Sequence, residues 1–303
     1  MAPPSGLRVV IAGSSGLIGR TLTDHLRGRG HTVTRLVRRE ATGSDESRWD
    51  PYAAEVDQSV VDQADVVVNL AGSSLLGIPY SRRWARNLRD SRVVTTRVLA
   101  DAIARSPSPP DFLAGNGSSV YGDHGRDVVT EESDSRGDAL LTRVTREWED
   151  ATLPAGDAGA RVCILRTAPV AARDNPLYRL QLPLFRLGLG TRLGGGEQFF
   201  PVVSLRDWVG AATFLTEERA VSGPVNICCP ITPTNTEYTN ALADALSRPA
   251  FLAVPAPLLR LAAGPMAPET LNSINLRPAV LEAAGHRFQD RTVTEVIASL
   301  LAT

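Results

Sequence analysis

A chain of 303 residues with 43% hydrophobic and 21% charged residues has the composition of a soluble globular protein, long enough for one large or two ordinary domains. Its formal net charge of −1 gives no global field toward nucleic acid or an anionic membrane, so neither is expected as a partner. All 32 basic residues are arginine, which excludes a Schiff-base lysine, a lysine general base and a P-loop lysine. The three cysteines, Cys163, Cys228 and Cys229, lack ligand spacing, and the four histidines are scattered. No metal site is expected, and a reducing, cytoplasmic compartment is. No apolar leader opens the sequence and no run approaches the length of a membrane span.

In chain order, Leu7–Ala12 is a short β-branched run that stops at Gly13, as a strand buried on both faces does. Leu17, Ile18, Leu22 and Leu26 then recur at helical spacing until Gly28 and Gly30. A second strand is expected over His31–Val37, a short one near Trp49, and another buried strand over Asp65–Leu70. A long amphipathic helix is expected from Arg82 to Ala104, strands over Asp111–Ala114 and Arg161–Arg166, and a helix around Asp138–Thr152 between them. Strands alternating with helices at this spacing predict a doubly wound parallel sheet, an α/β Rossmann arrangement. Beyond about residue 170 proline and glycine become frequent. Helices are expected near Ala241–Leu246 and Val293–Leu301, and Asp207 is read as the cap of another. The division this implies is a dinucleotide-binding domain over 1–170 and a smaller α/β lobe over 171–303, built on the same sheet.

The turn Gly13-Ser14-Ser15-Gly16-Leu17-Ile18-Gly19 joins the first strand to the first helix. Glycines at this spacing let backbone N–H groups and a helix N-terminus approach a pyrophosphate. The ribose is read at the end of the second strand, where an acid favours a 2′-hydroxyl and an arginine a 2′-phosphate. That strand ends in Val37-Arg38-Arg39-Glu40. Arg38 and Arg39 favour NADP(H), whereas a shift of one residue would bring Glu40 to the ribose instead.

Further along, Asn69-Leu70-Ala71-Gly72, Arg83-Trp84, Ser91-Arg92-Val93, Tyr121-Gly122-Asp123, Thr130-Glu131-Glu132-Ser133 and Trp148-Glu149 follow in order. Leu165-Arg166-Thr167, Gly194-Gly195-Gly196-Glu197-Gln198, Asp207, Gly223-Pro224-Val225-Asn226 and Arg277-Pro278 complete the series. In that order the motifs resemble the atypical extended short-chain dehydrogenases, the NAD-dependent epimerase/dehydratase-like group also described as cell-division inhibitors. The resemblance spans nearly the whole chain. It implies a Rossmann domain with a small C-terminal substrate lobe, NADP(H) bound at the glycine turn and along Leu70, Ala71 and Gly72, and a small-molecule carbonyl or hydroxyl substrate.

The resemblance also implies a serine after the fourth strand and a Tyr-x-x-x-Lys pair on the next helix, in which lysine helps a phenol whose ordinary pKa is about 10. Here Leu141 stands at the tyrosine position and Thr145 at the lysine position, while Asn116 or Gly117 falls where the serine is expected. Arg92 replaces the usual asparagine. The ordinary relay is therefore absent, and Tyr121 is read as a substitute proton donor assisted by Ser118 (or Ser119) and Arg92, against a role as a wall under the cofactor. His124 is a further acid within reach of the same edge. Gln198, Phe199 and Phe200 are read as lining for substrate. Two functions remain open: an oxidoreductase or epimerase-like enzyme with an unusual proton donor, or a catalytically inactive NADP(H)-binding, redox-sensing module.

Overall fold

The computed structural model describes residues 6–75 and 81–302. Eight strands form its main sheet: β1 (Arg8–Ala12), β2 (Thr32–Val37), β3 (Glu46–Asp50), β4 (Glu55–Val56), β5 (Val66–Asn69), β6 (Asp111–Gly117), β7 (Val162–Thr167) and β8 (Gly223–Ile227). Their spatial order is β8-β7-β6-β5-β1-β2-β3-β4. All neighbours run parallel except the β3–β4 hairpin. The order reverses at β1, whose neighbours are β2 on one side and β5 on the other. That reversal opens a crevice at the carboxyl ends of β1 and β5, where sheets of this kind accept ligands.

Alternation along the central strands divides the core into two layers. Val9, Ile11, Val66, Val68, Leu113 and Leu165 point to one face, under helix α1 (Leu17–Gly28). Val10, Ala12, Val67, Phe112 and Ala114 point to the other, where they meet Leu99 and Ile103 of helix α2 (Arg82–Arg105). Each buried Val, Leu, Ile or Phe side chain among these stabilises the fold by roughly 1.5–3 kcal/mol relative to exposure. Helix α3 (Leu140–Asp150) joins β6 to β7 through the short helix Leu153–Asp157.

Part of the chain beyond residue 170 shares the core of the main sheet. Helix α5 (Leu205–Glu217), which follows helix α4 (Pro176–Arg186), inserts Trp208 and Leu215 into the layer that holds Val9 and Leu22, and β8 pairs with β7 from Gly223↔Cys163 to Ile227↔Thr167. A third cluster belongs to the C-terminal lobe alone. There Tyr178, Leu182 and Phe185 of α4 pack on Tyr238 and Leu242 of helix α6 (Asn235–Ala245) and on the C-terminal helix Val293–Ala302. Ser204, not Asp207, caps α5: its hydroxyl accepts from the Asp207 amide at 3.2 Å. The Asp207 carboxylate instead accepts from the amides of Gln289 and Asp290 at 2.8 and 2.7 Å, tying the last loop to the lobe. No helix among the described residues is long and apolar enough to cross a membrane.

Candidate functional site

The glycine turn closes against β5. Gly13 has φ +81°, and a Cβ there would stand 2.5 Å from the Leu70 carbonyl carbon and oxygen. A Cβ on Gly19 would meet the Gly13 carbonyl oxygen at 2.3 Å, so α1 packs directly on the turn. Both positions exclude any side chain. Gly16 precedes the helix in extended conformation, with no side-chain cap and no acid in the first turn. Ser15 and Gly16 are exposed, Ser14 is buried, and Leu17 and Ile18 are half-buried. The first amides of α1 are thus left to an external anion, and the helix dipole favours one. This cradle fits a dinucleotide pyrophosphate.

At the end of β5, the buried Asn69 accepts from the Ala71 amide at 3.0 Å and donates to Thr96 Oγ1 at 2.8 Å. Thr96 also receives Trp148 Nε1 at 2.7 Å. Leu70, Ala71 and Gly72 are therefore held in place facing the glycine turn. Arg92 donates to the carbonyls of Ser73 and Leu88, both at 3.0 Å, and lies 5.4 Å over the Trp148 ring. No carboxylate pairs with it among the described residues, and burial lowers its pKa to about 10.

The two arginines at the end of β2 differ. Arg39 makes a bidentate pair with Glu46, at 2.7 and 2.6 Å, and donates to the Glu40 carbonyl at 2.8 Å. Glu40 is exposed and pairs with Arg48 at 3.2 Å. Arg38, also exposed, has no hydrogen bond or ion pair within the described residues. Of the pair, Arg38 is the one free to take a phosphate.

The structure corrects the expectation for Tyr121. Its side chain is fully buried, and its hydroxyl donates to Asn226 Oδ1 at 2.6 Å while accepting from Arg166 Nη1 at 2.9 Å. Arg166 is itself chelated by Glu149 at 2.8 and 2.9 Å. Burial pushes the phenol up to about 12, so the group neither reaches the ligand edge nor gives up its proton readily. The short helical turn Ser118–Val120 separates it from the end of β6, and its ring packs in the core layer that holds Leu113 and Leu165. His124 is likewise buried, with Nε2 3.3 Å from Asp134. Leu141 and Thr145 are buried in α3, and the Thr145 hydroxyl donates back to the Leu141 carbonyl at 2.8 Å. Asn116 is spent on the Thr145 carbonyl and the Gly117 amide.

What does face the edge is a narrow pocket of about 50 Å³ where the two parts of the chain meet. Ser118 and Ser119 line it from the end of β6, Pro169 from beyond β7, and Phe199 and Phe200 from the glycine-rich loop. Phe199 and Phe200 line this pocket, whereas Gln198 does not. Its amide donates to the carbonyls of Leu193 and Thr270 at 2.9 and 3.0 Å, stapling the loop to the short helix Pro268–Leu271. That helix contributes a residue the sequence did not single out, Glu269, whose carboxylate accepts from Ser119 Oγ at 2.5 Å. Burial raises Glu269 to about 7. No local motif marks it: only the packing of the C-terminal lobe against β6 brings a carboxylate 150 residues away to Ser119.

The family model described as NAD dependent epimerase/dehydratase family matches residues 9–178. A domain of unknown function matches residues 254–300, the segment that carries Glu269. An epimerase family protein of Mycobacterium leprae is 39% identical over 291 residues, covering 95% of this chain and 94% of its own. The epimerase family protein SDR39U1 of Bos taurus is 34% identical, covering 93% and 95%. Among solved structures, human SDR39U1 with NADPH superposes with a TM-score of 0.89 at 28% identity, over 98% of this chain and all of that one. A nucleoside-diphosphate sugar epimerase from Corynebacterium glutamicum gives 0.78 at 33% identity, over 98% of this chain and 58% of its own.

Proposed function

The chain belongs to the NAD dependent epimerase/dehydratase family, and from that premise we propose that it is an NADP(H)-dependent oxidoreductase or epimerase-like enzyme acting on a small carbonyl or hydroxyl compound. The observation that carries this is the glycine turn closed on Leu70 beside an unengaged Arg38. The amides of Ser14, Ser15, Leu17, Ile18 and Gly19 would hold the pyrophosphate, with Gly16, whose own amide donates to the Gly13 carbonyl at 3.1 Å, leaving room for its approach, and Arg38 would grip the 2′-phosphate. Leu70, Ala71 and Gly72 form the floor along the ribose and nicotinamide, with Arg92 fixing that floor from beneath. Human SDR39U1, whose structure contains NADPH, supports the choice of cofactor.

When bound, the nicotinamide exchanges hydride with substrate. This chain's residues position the reacting carbon in the pocket of Ser118, Phe199 and Phe200 and keep bulk water out of it. They do so without the Ser/Tyr/Lys relay, since Leu141 carries no acid and Thr145 is turned into its own helix. The burial of Tyr121 favours one other function, an NADP(H)-binding, redox-sensing module without turnover. The test is fluorescence titration with NADPH and NADH, followed by NADPH oxidation assays with aldehydes, ketones and nucleotide sugars. Preferential NADPH binding with turnover of one class supports the enzyme. Preferential binding with no turnover of any supports the module, and no binding of either cofactor refutes both.

A further inference from the structure

We propose that Ser119 and Glu269 form the proton-transfer pair of this site, and that the pocket they share takes the reacting end of an uncharged aldehyde or ketone. The inference rests on the NADP(H)-dependent function proposed above. Its basis is a juxtaposition of two parts of the fold. Ser119 stands at the carboxyl end of β6, on the edge where ligands enter the sheet, and Glu269 descends from the short helix Pro268–Leu271 of the C-terminal lobe. Their side chains meet at 2.5 Å and both line the pocket.

Among the described residues, the other hydroxyls weighed for this role are either engaged or have no acid beside them. Tyr121 is sealed in the core between Asn226 and Arg166, and Thr145 bonds its own helix. Ser118 lines the same pocket but has no acid beside it: the one carboxylate there, Glu269, bonds Ser119. A serine alone is a poor proton donor, whereas a carboxylic acid in hydrogen-bond contact with it can refill the hydroxyl as it gives up its proton. The surroundings keep Glu269 suited to that work. Around it in the pocket are Ser118, Ser119, Asn272 and the apolar faces of Phe199, Phe200 and Pro268. No charged side chain faces it there among the described residues, so burial dominates and holds the carboxyl near neutrality.

In the reductive direction the carbonyl carbon receives hydride from the reduced nicotinamide, and the electron pair of the carbonyl π bond moves to oxygen. That oxygen takes the proton of Ser119 Oγ, forming the product hydroxyl. Glu269, once protonated and donating to Oγ where the carboxylate accepted from it, passes its carboxylic proton to Ser119 and is left as a carboxylate, which water reprotonates. The oxidative direction reverses each transfer.

The same lining sets the class of substrate. Pro169, Phe199, Phe200, Pro201 and Ile274 make the walls apolar, and none of the chain's 32 arginines lines the pocket. A carboxylate or phosphate next to the reacting carbon would be buried opposite Glu269 without a counter-charge, which is costly. At about 50 Å³ the pocket admits a carbonyl group and little more.

The test uses the full chain as wild type, Glu269→Gln, Glu269→Asp and Ser119→Ala. NADPH affinity is measured by fluorescence, and carboxyl titration by NMR of glutamate-labelled protein. Turnover is measured with benzaldehyde and cyclohexanone as uncharged probes and pyruvate as the anionic one. The expected result is similar NADPH affinity in all four proteins and a glutamate titrating near neutrality that disappears in Glu269→Gln. Turnover of the uncharged probes should fall about a hundredfold in Glu269→Gln and Ser119→Ala, with partial recovery in Glu269→Asp. Turnover of Glu269→Gln equal to wild type, or the absence of any near-neutral glutamate, overturns the pair. Reduction of pyruvate in preference to both uncharged probes, or tight NADPH binding with no reduction of either, overturns the substrate class. Failure to bind NADPH at all refutes the cofactor instead, and the titration still reports on Glu269.

Discussion

Arg39 grips Glu46 through two parallel hydrogen bonds of 2.7 and 2.6 Å, which removes it from competition for the cofactor and leaves Arg38 alone at the end of β2. Glu46 also accepts from the Thr42 amide at 2.9 Å, and these contacts hold its carboxyl down at about 2. The loop that carries Arg38 is therefore fixed by its neighbour. Arg38→Ala should lose at least tenfold in the preference for NADPH over NADH, about 1.4 kcal/mol. Arg39→Ala should loosen the loop and weaken both cofactors more evenly. Paired fluorescence titrations at one ionic strength decide this, and an unchanged preference in Arg38→Ala would pass the ribose to Glu40.

The glycine turn should tolerate no side chain. At Gly19 a Cβ would collide with main chain, not with a mobile side chain, and at Gly13 it would also require a left-handed backbone. Gly19→Ala is expected to cost about 1–3 kcal/mol in urea unfolding and to weaken NADPH binding. Gly28→Ala, with open space around the added methyl, should be neutral or stabilising by up to about 1 kcal/mol. Equal stability of the two variants would show that the turn is looser than described.

Tyr121 should matter for stability and not for chemistry. Tyr121→Phe removes the partner of Asn226 and Arg166 at once, at an expected cost of about 1–3 kcal/mol. Glu149→Ala strips the buried Arg166 of its carboxylate and should cost about 3–5 kcal/mol. Denaturant midpoints measure both, and NADPH affinity should be nearly unchanged in Tyr121→Phe. A stable Tyr121→Phe protein with turnover lowered a hundredfold would return this phenol to the catalytic role.

Glu269 should leave a mark on stability as pH changes. Its ordinary value of 4.5 is raised to about 7 in the folded chain, chiefly by burial. Between those values the folded state keeps a proton that the unfolded chain has released. Stability must therefore fall as pH rises from about 4.5 to about 7, by up to about 3 kcal/mol, and level off above. Wild type minus Glu269→Gln, followed by urea unfolding from pH 4 to 8, isolates this contribution. A flat difference would mean that Glu269 ionises as an exposed carboxylate does.

The N-terminal half was legible because its signals are local. Short β-branched runs ending in glycine marked β1 and β5, and helical spacing marked α1 and α2 to within a residue or two. The cofactor turn was legible for the same reason, since Gly13, Gly16 and Gly19 do their work within seven residues. After residue 170 the helices expected near Ala241–Leu246 and over Val293–Leu301 are found at Asn235–Ala245 and Val293–Ala302, but other local signals fail. Helix α4 contains Pro183, which reads as a breaker, yet the helix is held by burial of Tyr178, Leu182 and Phe185. Strand β8, with glycine and proline at its start, is a strand because β7 offers a partner edge. Tyr121 does stand beyond the end of β6, as its sequence position indicates, but past the turn Ser118–Val120 its side chain lies buried between Asn226 and Arg166. Glu269 could not be found from sequence, because its only signal is a tertiary contact with Ser119.

The most direct test of NADP(H) binding and its place in the fold is a crystal structure of this chain with NADPH. The pyrophosphate should lie on the amides of Ser15, Leu17 and Ile18, with the 2′-phosphate against Arg38. The nicotinamide ring should reach the pocket that Ser119 and Phe200 line. A cofactor bound with its 2′-phosphate away from Arg38, or with the nicotinamide pointing out of that pocket, would contradict the account.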